Sequence, residues 1–206
     1  MFSLISQTRK LPGRNAGYTP CWIIDASFEP APIIAAIRTQ GLAPEALIFT
    51  HAHIDHIAGA HEIIRAFPTL PIFIHEAEER WLLDPELNLS IFTGNPVTAP
   101  PATRLLKEGD SLTLTGAGAW RVLHTPGHSP GSITLVSTQH GVAIVGDALF
   151  AGSIGRTDFP GCSLEALSES IKTKLYTLPD ATRIFPGHGP ESTIGHEKRT
   201  NPYVRP

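Results

Sequence analysis

Residues 50–56 read Thr-His-Ala-His-Ile-Asp-His, which puts three imidazoles and one carboxylate within positions 51–56. The apolar run Ala46-Leu47-Ile48-Phe49 precedes them and reads as a buried strand. Unsatisfied polar groups at the end of such a strand would cost roughly 1–3 kcal/mol each. A metal ion supplies the missing partner. In extended backbone His51 and His53 point to the same side, because successive residues alternate faces, so the two can share one ion. Asp55 is a good N-cap type, and Ile57, Ile63, Ile64 and Phe67 fit an amphipathic helix over 55–67 that ends before Pro68. Asp55 and His56 sit where the chain turns into that helix and should face a different position. Two histidines on one side and an Asp-His pair on the other suggest two adjacent metals.

Outward from this stretch, the chain has the size and composition of a single domain over 1–206. Its 206 residues are enough to bury a substantial core, and 41% of them are hydrophobic. A formal net charge of −3 and the lack of a basic run argue against a nucleic-acid partner. No stretch approaches the ~18 apolar residues of a membrane span, and Met1–Lys10 lacks the layout of a signal peptide. Cys21 and Cys162 lie far apart without CxxC spacing and read as reduced structural residues of a cytoplasmic protein. The oligomeric state is not legible.

Strand-like runs recur at Cys21–Asp25, Ala46–Phe49, Pro71–Ile74, Leu112–Leu114, Trp120–His124, Ser132–Val136, Val142–Val145 and Arg183–Phe185, with helical patterns near 30–40, 55–67, 76–83 and 164–177. Residues 1–20 show no clear strand hairpin. The Pro- and Asn-rich segment 87–103 reads as a surface loop, either a lid or a plain connection. Strands and helices alternate early and strands cluster later, which fits two sheets covered by helices.

Three further segments repeat one arrangement of apolar strand, Gly-rich turn and metal-type ligand. They are Thr125-Pro126-Gly127-His128, Gly146-Asp147-Ala148 and Phe185-Pro186-Gly187-His188. A lone histidine after a strand is usually structural; three repeats beside a dense first cluster are not.

The order His-x-His-x-Asp-His, then His, Asp and His, resembles the metallo-β-lactamase-fold hydrolases. Within them the chain is most similar to short bacterial-type glyoxalase II proteins, through residues 146–159 (Gly-Asp-Ala-Leu-Phe-Ala-Gly-Ser-Ile-Gly-Arg-Thr-Asp-Phe) and 186–197 (Pro-Gly-His-Gly-Pro-Glu-Ser-Thr-Ile-Gly-His-Glu). The resemblance implies an α/β (α+β) fold, a four-layer αβ/βα sandwich of two mixed sheets flanked by helices. It assigns His51, His53 and His128 to one metal and Asp55, His56 and His188 to a second, with Asp147 bridging. Two ions sharing a carboxylate make hydroxide available near neutral pH, and one can polarise a scissile carbonyl. The implied enzyme is a metal-dependent hydrolase with Asp55 and Asp147 as catalytic groups. It would act on a small-molecule thioester, S-lactoylglutathione first, without a covalent intermediate. Zinc is the expected cofactor, and iron and manganese also suit this donor set.

Ligating histidines usually pass their second N–H to a carboxylate or carbonyl, and Asp25 is placed for that role. The family pattern continues with glycine two residues later, where this chain has Ser27. Arg156 and Asp158 are expected to pair with each other or to present Arg156 to an anionic substrate, and His196 falls in a family-like segment. His61, His75, His124 and His140 read as structural. Larger glyoxalase II enzymes add a C-terminal helical glutathione-binding domain for which no counterpart is read here. Three alternatives stand beside thioester hydrolysis: a persulfide dioxygenase-like mononuclear iron enzyme, a lactonase or β-lactamase-like hydrolase, and a non-enzymatic metal-binding module.

Overall fold

The computed structural model describes residues 3–6 and 19–206. The reading of Met1–Lys10 as lacking a signal peptide falls mostly outside them. Strand β1 (Ser3–Ser6) pairs antiparallel with β2 (Thr19–Ile24), so a strand exists in a region where the sequence pattern showed none. Its four residues, Ser-Leu-Ile-Ser, are too few for alternation to stand out. Helix α1 (Ala31–Thr39) then leads to β3 (Leu42–Ile48), followed by the short helices α2 (Ile54–Ile57) and α3 (Ala60–Ala66), β4 (Ile72–His75) and β5 (Arg104–Leu106). The first sheet runs β1-β2-β3-β4-β5, parallel from β2 onward.

The second sheet is built from β6 (Ser111–Leu114), β7 (Gly118–His124), β8 (Ile133–Ser137) and β9 (Val142–Gly146), joined by β12 (Arg183–Pro186) and β13 (Ser192–Thr193). Its order is β13-β12-β9-β8-β7-β6, and the pair β9/β12 is parallel. A small hairpin, β10 (Leu149–Phe150) with β11 (Ser153–Ile154), stands apart from both sheets. Helix α4 (Leu164–Ser170) continues as a π-turn over Ile171–Leu175, and α5 (Ile194–Thr200) follows β13. Among the described residues no helix is long and apolar enough to cross a membrane.

The alternation of side chains along the strands assigns the layers. In β2, Cys21 and Ile23 face the core under α1 and α3, while Trp22 and Ile24 face the other sheet. Strand β9 does the same, with Ile144 inward between the sheets and Ala143 and Val145 under α4 and α5. The central strands β3, β8 and β9 are therefore covered on both faces and read as apolar runs, while β6 and β7 alternate buried and exposed residues. Trp22 and Trp120 meet edge-to-face between the sheets at 5.9 Å. Each fully buried Ile or Leu in these layers contributes about 1.5–3 kcal/mol relative to exposure. The result is the αβ/βα sandwich expected from the resemblance.

Two local expectations need correction. The helix read over 55–67 is broken at Ala58-Gly59. Gly59 presses against the chain leaving β2, where a Cβ would lie 2.6 Å from the Ala26 carbonyl oxygen. Its N–H donates to the Ser27 carbonyl at 2.7 Å. Asp55 is not the N-cap either. His53 holds that position in extended backbone, and Asp55 lies in the first turn of α2 with its carboxylate turned toward His188.

Candidate metal centre

The polar residues of interest lie just beyond the C-terminal ends of strands in both sheets. Asp25 follows β2, and His51 and His53 follow β3. His128 follows β7, Asp147 follows β9, and His188 follows β12. The Ile133 N–H donates to the Thr50 carbonyl at 2.9 Å, joining the two sheets at this edge. The Gly187 N–H likewise donates to the Gly146 carbonyl at 2.9 Å, setting Asp147 beside His188.

Three overlapping groups of donor atoms result: His51, His53 and His128; His51, His56 and Asp147; and Asp55, His56 and His188. In the first, His128 Nε2 lies 2.9 Å from His53 Nδ1 and 3.2 Å from His51 Nε2. In the last, His188 Nε2 is 2.9 Å and His56 Nε2 3.6 Å from Asp55 Oδ2. Asp147 stands between them. Its Oδ1 is 3.4 Å from His56 Nε2, and its Oδ2 is 3.7 Å from His128 Nε2 and 3.4 Å from His188 Nε2.

These atoms fit cations better than one another. His56 Nε2 and Asp147 Oδ1 are buried without a hydrogen-bond partner, a costly state that a cation between them would relieve. Space for close approach is also built in. A Cβ at Gly187 would overlap Asp147 Oδ1 and lie 2.8 Å from His56 Cε1. At Gly155 it would overlap the Asp147 carbonyl oxygen and lie 2.9 Å from His128 Nδ1.

The outer hydrogen bonds turn lone pairs inward. His128 Nδ1 donates to the Arg156 carbonyl at 2.9 Å, which leaves Nε2 as an acceptor. Asp25, 4% exposed and in left-handed backbone (φ 59°), receives His56 Nδ1–H on Oδ2 at 2.8 Å. It also receives the Thr50 N–H on Oδ1 and the Thr50 hydroxyl on Oδ2, each at 2.8 Å. Because that hydroxyl donates to Asp25, it accepts from His51 Nδ1 at 3.1 Å and leaves His51 Nε2 free. One carboxylate thus fixes the tautomers of two histidines in different groups. Ser27 adopts the left-handed φ (59°) that the family's glycine at this position would adopt without strain.

Electrostatics divide the site. Burial pushes His51 well below the ordinary histidine value, His53 down to about 3 and His128 lower as well, so all three are neutral at pH 7. Burial also opposes charge on His56, but Asp25 and Asp147 outweigh it and hold its pKa well above the usual value. The hydrogen bond to Asp55 raises His188. Asp55, despite burial, is held far below the carboxylate range by His188 and His56, and Asp147 is lowered by His56.

The groups open onto a cavity of about 540 Å³. Leu89, Phe92, Phe150, Ile154 and Phe159 give it apolar walls, and Leu89 and Phe92 come from the segment read as a surface loop. Phe92 stands 74% exposed at the mouth. Arg156 also lines the cavity, but both arms of its guanidinium are engaged by Asp158 at 2.7 and 2.8 Å, and it lies over the Phe159 ring. The expected pairing therefore forms. His196 does not join the cavity lining. The turn of α5 exposes it in a separate shallow depression with Arg183 and Glu191 and directs Glu197 inward instead. Both cysteines are free, as expected; Cys162 Sγ donates to the His128 carbonyl at 2.8 Å. Sequence reasoning missed Thr50 and the aromatic walls. A hydroxyl immediately before the first histidine was the available signal for Thr50.

The same fold occurs in known proteins. The chain is 43% identical over 185 residues to a protein of Bacillus subtilis named a probable metallo-hydrolase, covering 89% of this chain and 87% of the other. It is 38% identical to the hydroxyacylglutathione hydrolase GloC of Haemophilus influenzae, covering 88% and 86%. Among solved structures, the B3 metallo-β-lactamase BLEG-1 superposes with a TM-score of 0.85 at 40% identity, covering 89% and 88%. A di-iron-bound form of the protein TTHA1623 gives 0.77 at 38%, covering 89% of each chain. The model of the metallo-β-lactamase superfamily matches residues 18–188, which span every donor described above. With that match and these relatives, the chain belongs to the metallo-β-lactamase superfamily and is a metallo-hydrolase by family.

Proposed function

We propose that the chain holds two divalent ions, zinc foremost, and hydrolyses a thioester, with S-lactoylglutathione the first substrate to test. One observation carries this reading: seven metal-type side chains converge in overlapping donor groups, five of them lining a cavity with apolar walls. His51, His53 and His128 would hold one ion, Asp55, His56 and His188 the other, and Asp147 would touch both. Bound there, the ions would supply Lewis acidity toward a carbonyl and toward water.

The protein's own groups do the rest. Asp25 and Thr50 keep His51 and His56 in the tautomer that offers Nε2. Asp55, on the cavity wall, would also orient the attacking water. Leu89, Phe92 and Phe159 take the acyl and thioether carbons and exclude bulk water, which strengthens every charge interaction at the floor. The 38% identity to GloC, named a hydroxyacylglutathione hydrolase, supports the thioester.

A second reading, ring opening of a β-lactam, is favoured by the similarity to BLEG-1. A panel of S-lactoylglutathione, a cephalosporin and an acyl-homoserine lactone, assayed on zinc-loaded protein, separates them. Thiol release that vanishes in Asp147→Ala supports the proposal. Turnover of the β-lactam or lactone alone, or of none of the three, would sink it.

A further inference from the structure

The 3-10 segment Glu76–Leu82 carries a carboxylate that the chemistry above does not use. Glu78 is fully buried. Its Oε2 accepts the Ala52 N–H at 2.6 Å, and its Oε1 accepts the Gly131 N–H at 2.7 Å. Ala52 lies between His51 and His53, and Gly131 lies three residues beyond His128. One side chain therefore ties together the two loops that supply all three imidazoles of one group. Burial raises the Glu78 pKa, and an apolar residue of similar volume would avoid that cost if filling space were the requirement.

The surroundings are shaped to this carboxylate. A Cβ at Gly131 would come within 2.8 Å of Glu78 Cγ and 3.0 Å of Cδ. The same segment supports the next residues of the loop. Trp81 packs 5.9 Å from the His53 ring, and its carbonyl accepts from Asn88 Nδ2 at 3.0 Å. The Asn88 carbonyl in turn accepts the Ile54 N–H at 3.1 Å. Residues 52 and 54, on either side of His53, are thus both fixed to the 78–88 stretch.

We propose that Glu78 is a positioning residue for the His51/His53/His128 group, holding the two loops at the spacing that lets three imidazoles converge on one cation. The proposal rests on the metal-holding reading above. It is tested on the full chain by titrating zinc against a competing chelator in E78Q and G131A. His128→Ala and His188→Ala serve as references for losing one position or the other. Glutamine keeps the volume of Glu78 but turns an NH2 toward one of the two N–H groups. Alanine at 131 keeps the Glu78 carboxylate but shifts its position. In both variants, affinity at the position lost in His128→Ala falls about tenfold, while the other position stays within about twofold. The double variant is no weaker than the worse single, because both act through one contact. The control E197Q removes a different buried carboxylate and lowers thermal stability with both zinc affinities intact. If E78Q does not fold, G131A decides alone. Wild-type zinc affinities in a folded variant, or equal loss at both positions, would overturn the proposal. Two full zinc steps in His128→Ala would overturn the metal reading and this proposal with it.

Discussion

The His51/His53/His128 group and the Asp55/His56/His188 group lie side by side, but they are made ready for a cation in opposite ways. The first is three imidazoles, buried and carrying no carboxylate of its own. Desolvation keeps them neutral, so their lone pairs are available without displacing a proton. The second includes a carboxylate and a histidine whose side chain is 46% exposed, and its two rings are drawn toward protonation by Asp25, Asp147 and Asp55. One position is prepared by burial and backbone anchoring, the other by charge. A metal at the second must compete with protons; at the first it need not.

The largest effect that would break this contrast is at Asp147, which belongs to both sides. Asp147→Ala should remove thioester turnover by about 10³-fold, or ~4 kcal/mol of transition-state stabilisation, and weaken both metal steps. Retained turnover in metal-free buffer would refute the hydrolytic reading. Gly187→Ala comes next. A methyl placed against Asp147 Oδ1 and His56 displaces the second position, so kcat should drop about 10²-fold while the first metal step survives. Equal loss of both steps would erase the distinction.

Acidification sharpens the same comparison. A histidine with a raised pKa is protonated below its folded value, so affinity at the Asp55/His56/His188 group should fall as pH drops through the raised His188 value. The imidazole trio should keep its metal under the same conditions. In the metal-free chain the depressed histidines make stability fall toward acid as well. Depressed histidines stabilise above the unfolded value of 6.5, and that contribution is lost as pH falls from there toward about 3 for His53. Thermal melts of chelated protein across this range should decline toward acid; a rise would contradict the burial argument.

Smaller effects separate the tautomer-setting groups. Asp25→Asn should cost about 10–100-fold in metal affinity, more at the second position because His56 binds it directly. Thr50→Val removes the hydroxyl that joins His51 to Asp25, an expected loss of about 1–2 kcal/mol that falls mainly on the first position. Zinc titration of each variant reads both.

Part of this site could be read from the chain. Local density exposed the 51–56 cluster, and the repeated strand-glycine-ligand pattern exposed His128, Asp147 and His188. The layered fold followed from apolar runs buried on both faces. The rest left no local mark. Glu78 meets Ala52 and Gly131 across long sequence separations. Such side-chain-to-backbone bonds have no periodicity. Strands as short as β5 and β13 escape alternation for the same reason, and the break at Gly59 depends on a tertiary contact with the chain after β2. The Pro- and Asn-rich loop 87–103 read as a lid or a connection, and Leu89 and Phe92 from it build a wall of the cavity.

The central claim is that seven side chains hold two ions of unlike character. Elemental analysis of metal per chain in the purified full-length protein, beside His128→Ala and His188→Ala, tests it most directly. The account predicts about two metals in the wild type and about one in each variant, with the His188→Ala ion surviving mild acid and the His128→Ala ion lost. One metal or none in the wild type, or identical acid behaviour of the two variants, would contradict it.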